Sequence, residues 1–176
     1  VSREGRMMDV NPAWLSLHGY KDKGEILGRD VLFSSRTTTL RGTSFDLERP
    51  GFSPIRLTTP LLGEHQAANA AVAAMACLGL SSEWQGISVE TIRRGLEKTS
   101  WPGRLEMIPL VPPVLLDGAH NPQGAEALSR TLVSLWPGVR PILIMAAMRD
   151  KDLTGMLKAL SRSGGELFCT EIPGLD

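Results

Sequence analysis

The chain has 176 residues, of which 42% are hydrophobic and 22% are charged, a composition typical of globular proteins with one domain or two small ones. Lysine plus arginine and aspartate plus glutamate both number 19, and no block of like charges indicates a nucleic-acid partner. No apolar stretch approaches the roughly 18 to 20 residues that span a bilayer, which argues against a membrane protein.

The first third of the chain changes character near residue 37. Residues 1–36 are weakly periodic, and we predict a loop with a short helix around residues 13–18. Residues 37–62 are richer in Thr, Phe, Ile and Leu and are interrupted by Gly42 and Pro60. This pattern predicts the short strands of a small antiparallel sheet.

Two helices are expected next. Residues 64–80 are rich in alanine and predict a helix that ends near Gly79. A second helix is predicted over residues 89–98, with Ser88 as its N-cap. The Trp-Pro-Gly-Arg segment at 101–104 then ends the helical pattern, and we place a domain boundary near residue 100.

Beyond the boundary, strand and helix patterns alternate, which predicts a βαβαβ unit with a parallel sheet and helices on its faces. The fold class is therefore α/β. The expected elements are strands 105–110 and 114–116, helix 123–135, strand 141–147, helix 153–161 and strand 166–170.

Polar side chains gather at the start of the alanine-rich helix. His65, Gln66 and Asn69 are spaced by three or four residues and can share one end of an otherwise apolar helix. Carboxamides both donate and accept hydrogen bonds, as recognition of an adenine edge requires. The alternative is that the three side chains satisfy one another or nearby backbone groups, as buried polar groups usually do.

Arg104 follows the predicted boundary, where a guanidinium could reach a phosphate or ribose bound between domains. A lone arginine is more often solvated, and Arg104 could instead pair with Glu106 across a turn.

Residues 117–122, with the sequence DGAHNP, follow a short apolar strand pattern. Asp117 and His120 then lie where α/β sheets bind ligands, beyond the carboxyl end of a strand. Asn121 is a suitable N-cap and Pro122 a suitable first residue of the next helix. The alternative is that Asp117 only caps a turn and that His120 lies on its surface.

Residues 145–152 repeat this arrangement, because an apolar strand pattern ends and charges gather before a helix. Lys151 is a further candidate at the same edge of the sheet. For Asp152 helix capping is the favoured interpretation.

Four spaced motifs, taken in order, resemble the folylpolyglutamate synthase and dihydrofolate synthase family, a branch of the Mur ligase superfamily. The resemblance covers roughly residues 55–172, and its motifs are LGEHQAANA at 62–70, WPGRLE at 101–106, LDGAHNP at 116–122 and DKD at 150–152. Gly118 and Gln66 are closer to the folate branch than to the peptidoglycan branch.

The resemblance implies an ATP-dependent ligase that joins L-glutamate to a folate or dihydropteroate carboxylate through an acyl phosphate. It implies that Asn69 and Gln66 face the adenine, that Arg104 faces the phosphates and that Asp117 faces the ribose or the hinge. His120 is expected in the active site, Asp117 and His120 as catalytic residues, and His120 with Lys151 as substrate-binding residues. Residues 1–100 would be the C-terminal part of a P-loop ATPase-like, ATP-binding central domain. Residues 101–176 would form a Rossmann-like glutamate-ligase domain.

Some parts of the family pattern are missing. The family carries a GxxxxGK[ST] phosphate loop, Mg²⁺ ligands and a carbamylated lysine, and no such loop occurs in this sequence. The chain begins at Val1 without Met or a leader, so we expect a segment that is incomplete at both ends and inactive by itself.

The remaining expectations concern surroundings and rivals. Cys77 and Cys169 form no CxxC and the three histidines lack zinc-site spacing, so a reducing cytoplasm and no structural metal are expected. The full-length protein is expected to be a monomer. Two rival functions stay open: a Mur-type ligase that acts on a UDP-linked sugar acid, and a non-catalytic nucleotide-binding or interaction module.

Overall fold

A computed structural model of the chain describes residues 33–49, 52–81 and 83–171. The short helix predicted around residues 13–18 lies outside the described residues. Contacts divide the chain into two compact units, Val1–Ser100 and Trp101–Asp176, called unit 1 and unit 2 below.

Unit 1 contains a three-stranded antiparallel sheet in the order β1-β2-β3. Its strands are β1 (Phe33–Thr39), β2 (Gly42–Arg49) and β3 (Phe52–Thr59). The antiparallel sheet predicted for residues 37–62 is confirmed, although β1 begins earlier. Phe33 belongs to the strand because its ring packs edge-on against that of Phe45, with centroids 6.2 Å apart.

Two helices cover this sheet, α1 (Glu64–Leu80) and α2 (Val89–Glu97), in agreement with the predicted spans. Four alanines dominate the buried face of α1, and their small side chains allow close packing on the sheet. Sheet residues that are fully or almost fully buried pack against these alanines. Burial of each such side chain contributes about 1.5–3 kcal/mol to stability. These residues are Phe45, Leu47 and Leu57.

The start of α2 is capped as predicted. Ser88 Oγ accepts a hydrogen bond from the Thr91 N–H at 3.1 Å, and Thr91 Oγ1 accepts one from the Ser88 N–H at 2.8 Å. This reciprocal capping box satisfies two backbone donors at the helix start.

Unit 2 has the predicted alternation of strands and helices. Its elements are β4 (Glu106–Ile108), β5 (Val114–Leu116), α3 (Pro122–Leu135), β6 (Ile142–Met145), α4 (Leu153–Leu160), a 3₁₀ turn (Ser161–Ser163) and β7 (Glu166–Cys169). Strands β6 and β7 are parallel neighbours, joined through α4.

The prediction of one parallel sheet is wrong for β5. Within the described residues β5 is hydrogen-bonded to β4, with which it runs antiparallel, and it has no bonds to β6. The connection at 109–113 is short enough to return the chain beside β4, so the backbone of both three-residue strands is satisfied locally. Strand β4 is also shorter than predicted, because Pro109 has no N–H to continue the ladder.

The core of unit 2 lies between one face of the β6–β7 pair and the two helices. Its buried members are Ala125, Met145, Met156, Ala159 and Leu160. The starts of α3 and α4 lie together, since a Cβ at Gly155 would be 2.7 Å from Pro122 Cγ. Residues from two different strand-to-helix connections therefore share one end of unit 2.

Candidate functional site

The start of α1 is held by a buried hydroxyl from the sheet. Thr43, which is fully buried on β2, accepts a hydrogen bond from the Gly63 N–H at 3.1 Å and lies 3.5 Å from the Gly63 carbonyl oxygen. Gly63 is the N-cap of α1 and has φ 106°, a left-handed conformation that favours glycine. The first turn of α1 is thereby fixed to β2.

Gln66 and Asn69 meet in that first turn. Gln66 is only 4% exposed, and its Oε1 accepts a hydrogen bond from Asn69 Nδ2 at 3.1 Å. The two side chains therefore satisfy one another in part, through one donor of Asn69 and one acceptor of Gln66. Gln66 Nε2 has no hydrogen-bond partner in the described part of the chain, and Asn69 is exposed. The pair keeps an amide donor and a carbonyl acceptor for an adenine edge, while His65 is half-buried beside them.

The loop that carries Arg104 is fixed on both sides of that residue. The Gly103 N–H donates to Glu106 Oε2 at 2.8 Å, and the Leu105 N–H donates to Asp117 Oδ2 at 3.0 Å. Leu105 is 3% exposed and has φ 47°, a conformation that costs energy in a residue with a Cβ. Burial of its side chain and its bond to Asp117 offset that cost.

Arg104 does not pair with Glu106, which instead accepts the Gly103 N–H. Its guanidinium carbon lies 5.7 Å from the centroid of the Trp101 ring, and its Nη1 occupies the space that a Cβ at Gly118 would need. Among residues 33–49, 52–81 and 83–171 it forms no ion pair or hydrogen bond. Its N–H donors are thus available for an anion.

Asp117 ties two segments of unit 2 together. Besides the Leu105 N–H, its carboxylate accepts the Ala119 N–H at 2.8 Å through Oδ1. Asp117 therefore caps its own turn, and it also binds the loop that carries Arg104. Each carboxylate oxygen can accept a second hydrogen bond, so a role towards a ligand is compatible with this geometry.

His120 lies exposed on the turn that follows. Its Nδ1 is 3.0 Å from the Gly118 carbonyl oxygen. Because a carbonyl oxygen only accepts, Nδ1 carries the proton in this contact and Nε2 offers a lone pair when the ring is neutral. The Asn121 and Pro122 predictions are confirmed: Asn121 Oδ1 accepts the Gly124 N–H at 2.8 Å, and Pro122 is the first residue of α3.

Lys151 already has a partner within its own loop. Its Nζ lies 2.6 Å from Asp150 Oδ2, and this hydrogen bond is the main reason why the pKa of Asp150 is below its ordinary value. A glutamate carboxylate would have to displace or join Asp150. Asp152 caps α4 as predicted, since its Oδ1 accepts the Gly155 N–H at 2.8 Å.

The structure brings Arg104, Asp117 and His120 together around Gly118 in unit 2. Lys151 lies near the same end, because the starts of α3 and α4 are adjacent. Gln66 and Asn69 form a separate pair in unit 1. Sequence reasoning missed the contact of Trp101 with Arg104 and the buried hydroxyl of Thr43. A tryptophan three residues before an arginine was the available signal for the first, and none existed for the second.

The described part of the structure contains neither a candidate metal site nor a candidate membrane span. No three His, Cys, Asp or Glu side chains there are grouped closely enough to hold a metal ion. No described helix has the length and apolar character needed to cross a membrane.

Comparison with known proteins gives one family match, which lies within unit 2. Residues 103–175 match the model of the Mur ligase, glutamate ligase domain. The chain is 42% identical over 118 residues to the dihydrofolate synthase/folylpolyglutamate synthase of Bacillus subtilis (strain 168), which covers 66% of the chain and 27% of that relative. It is also 32% identical over 120 residues to a UDP-N-acetylmuramyl-tripeptide synthetase of Leifsonia xyli subsp. xyli, which covers 66% of the chain and 23% of that protein.

Among solved structures, the chain is similar to an FPGS-AMPPCP-folate complex, with a TM-score of 0.70 and 32% identity. The match covers 83% of the chain and 36% of that structure. The chain therefore spans about a quarter to a third of the length of these relatives.

Proposed function

We propose that the protein to which this chain belongs is an ATP-dependent ligase, because residues 103–175 match the glutamate ligase domain of the Mur ligases and the chain is similar to part of a dihydrofolate synthase/folylpolyglutamate synthase. The reaction joins L-glutamate to a folate or dihydropteroate carboxylate. The observation that carries the proposal is the clustering of Arg104, Asp117 and His120 within the matched domain.

Arg104 is proposed to bind the ATP phosphates. A guanidinium presents N–H donors in a planar fork that suits phosphate oxygens, and those of Arg104 have no partner elsewhere in the described residues. Its positive charge would offset the negative charge that gathers when ATP and two carboxylate substrates meet.

Gln66 and Asn69 are proposed to recognise the adenine. The Gln66 amide nitrogen is buried, and an unpaired buried donor costs about 1–3 kcal/mol, so a ligand acceptor would relieve that cost. Thr43 keeps the helix turn that carries the pair in place. The pair supports ATP as the nucleotide, in keeping with the AMPPCP named in the similar complex.

The proposed chemistry has two steps. A carboxylate oxygen of the folate or dihydropteroate substrate attacks the γ-phosphorus of ATP and ADP leaves, giving an acyl phosphate. The glutamate amine then attacks the acyl carbon and loses a proton, while phosphate leaves. His120 Nε2 is proposed to accept a hydrogen bond or the proton from this amine. The Lys151 ammonium group, which also pairs with Asp150, would attract the glutamate carboxylates.

Asp117 has two roles in this proposal. Its bonds to the Leu105 and Ala119 N–H groups hold the Arg104 loop and the His120 turn in one arrangement. Its remaining lone pairs are proposed to accept from a ribose hydroxyl. The described residues contain no group of three His, Cys, Asp or Glu side chains that could hold a metal ion, and none of them is assigned as a Mg²⁺ ligand.

The proposed folate ligase and the rival Mur-type ligase differ in the substrate that receives the amino acid. The Leifsonia relative keeps that rival open, but its 32% identity is below the 42% of the Bacillus relative. We propose the folate branch for this reason and because Gly118 and Gln66 match its motifs. We further propose that the 176-residue chain does not turn over by itself, because it contains no GxxxxGK[ST] loop for the phosphates.

The test is glutamate-dependent ADP release by the full-length gene product, with dihydropteroate, tetrahydrofolate or UDP-linked sugar acids as the second substrate. We expect release with a pterin carboxylate and none with the UDP-sugars. The 176-residue chain serves as a parallel sample and should release no ADP. Turnover only with UDP-sugars would establish the rival, and nucleotide binding without turnover on any substrate would establish the non-catalytic module.

A further inference from the structure

Trp101 has no role in the core of unit 2. Its side chain is 57% exposed, and it belongs to neither cluster of buried residues in the described structure. A tryptophan in water exposes a large apolar surface, which is unfavourable unless another contact uses the ring. The contact found for this ring is with the Arg104 guanidinium.

The orientation of the Arg104 guanidinium depends on its contact with the Trp101 ring. A free arginine side chain samples many rotamers, and fixing it costs up to about 2 kcal/mol in conformational entropy. Neither an ion pair nor a hydrogen bond within the described residues limits Arg104. Two surfaces do limit it: the Trp101 ring, 5.7 Å from the guanidinium carbon, and the backbone at Gly118. A cation within about 6 Å of an indole centroid is attracted to the ring.

The backbone between the two residues is fixed as well. Gly103 is bonded to Glu106 and Leu105 to Asp117, so the backbone on both sides of Arg104 is held in place. The indole therefore offers its face to a guanidinium whose own backbone is held in place.

We propose that Trp101 is a positioning residue that holds the Arg104 guanidinium in the direction in which it meets the nucleotide phosphates. This inference rests on the proposed role of Arg104 in ATP binding. The indole itself does not contact the reacting atoms. Its removal should weaken the binding of ATP and leave the chemical step unchanged.

The expected effect is modest and specific. A partly exposed cation–π contact corresponds to about a two- to fivefold change in an equilibrium constant. Trp101→Leu in the full-length enzyme should therefore raise the KM for ATP about two- to fivefold, with little change in kcat or in the KM for glutamate. Trp101→Phe keeps a ring face and should recover part of the loss.

A matched control is available in unit 1. Trp84 is also exposed, at 65%, and lies outside the proposed site, so Trp84→Leu should leave the KM for ATP unchanged. The Arg104→Ala variant should raise this KM by more than Trp101→Leu does. In the double variant the loss of Trp101 should add nothing, because the residue that it positions is gone.

A direct structural readout accompanies the kinetics. In nuclear magnetic resonance spectra, the side-chain protons of Arg104 should be shifted by the indole ring current, and Trp101→Leu should abolish the shift.

The outcomes distinguish the inference from the proposed function. If Arg104→Ala raises the KM for ATP but Trp101→Leu does not, the inference about Trp101 is overturned and the function stands. If Arg104→Ala leaves the KM unchanged, the role of Arg104 and the inference both fail. An additive effect of Trp101→Leu in the absence of Arg104 would also overturn the inference, since the indole would then act on ATP without the guanidinium.

Discussion

Replacing Asp117 by alanine should loosen two segments of unit 2 at once. The carboxylate accepts the Leu105 N–H at 3.0 Å and the Ala119 N–H at 2.8 Å. Hydrogen bonds to a charged acceptor contribute about 1.5–3 kcal/mol each, and water can partly replace them here because Asp117 is only half-buried. We therefore expect Asp117→Ala to lower the free energy of unfolding of unit 2 by about 2–3 kcal/mol. Asp117→Asn keeps one acceptor oxygen and should lose about half of that.

Urea denaturation measures the loss. With a denaturant slope of about 1 kcal/mol per molar for a domain of this size, the midpoint of the unit 2 transition should fall by about 2–3 M in Asp117→Ala. Amide hydrogen exchange gives the local readout, because the Leu105 and Ala119 N–H groups should lose protection together. Asp150→Ala, which removes an exposed carboxylate that pairs with the neighbouring Lys151, is the matched control and should lower the midpoint far less.

Two results would refute this reasoning. An unchanged midpoint in Asp117→Ala would mean that water replaces both bonds without cost. Loss of protection at Ala119 but not at Leu105 would mean that the carboxylate caps only its own turn and does not hold the Arg104 loop.

Four further predictions test the surrounding geometry. Gly155→Ala should destabilise unit 2 by about 1–3 kcal/mol in thermal melts, because the new Cβ would lie 2.7 Å from a proline carbon of α3. Gly95→Ala, in a helix with open space around it, should instead stabilise unit 1 by about 0.5–1 kcal/mol. Asn121→Ala should cost about 1 kcal/mol by removing the cap of α3, and equal melting of this variant and wild type would contradict that role. Lys151→Gln should raise the pKa of Asp150 towards its ordinary value, which an NMR titration measures. Because the native pKa is lowered, the pair stabilises the fold when the pH is above the ordinary pKa. This stabilisation is lost as the pH falls through the lowered pKa.

Local signals in the sequence predicted the helices and their starts. Ser88, Asn121 and Asp152 cap helices because their short polar side chains reach backbone donors only two or three residues away. Such contacts depend on the neighbouring sequence alone. The parallel pairing of β6 with β7 could also be predicted, since a strand, helix and strand in succession favour that topology.

Contacts between distant segments could not be predicted in the same way. The pairing of β5 with β4 depends on the path of the intervening loop, which leaves no periodic signal. The bond from Leu105 to Asp117 spans twelve residues, and the partner of a lone arginine such as Arg104 cannot be known before the backbone is placed. The sequence therefore indicated candidate site residues in unit 2 but not the contacts by which they support one another.

The buried hydroxyl of Thr43 has a consequence for which residues can be tolerated at that position. Valine would fill the same volume but offer no acceptor to the Gly63 N–H, and serine would keep the acceptor but leave a methyl-sized void. In a saturation library ranked by folding stability, position 43 should accept threonine, serine less well, and valine least of the three. Such a ranking would reverse the order expected at an ordinary apolar core position. There, the loss of a methyl group destabilises the fold more than the loss of a hydroxyl group does.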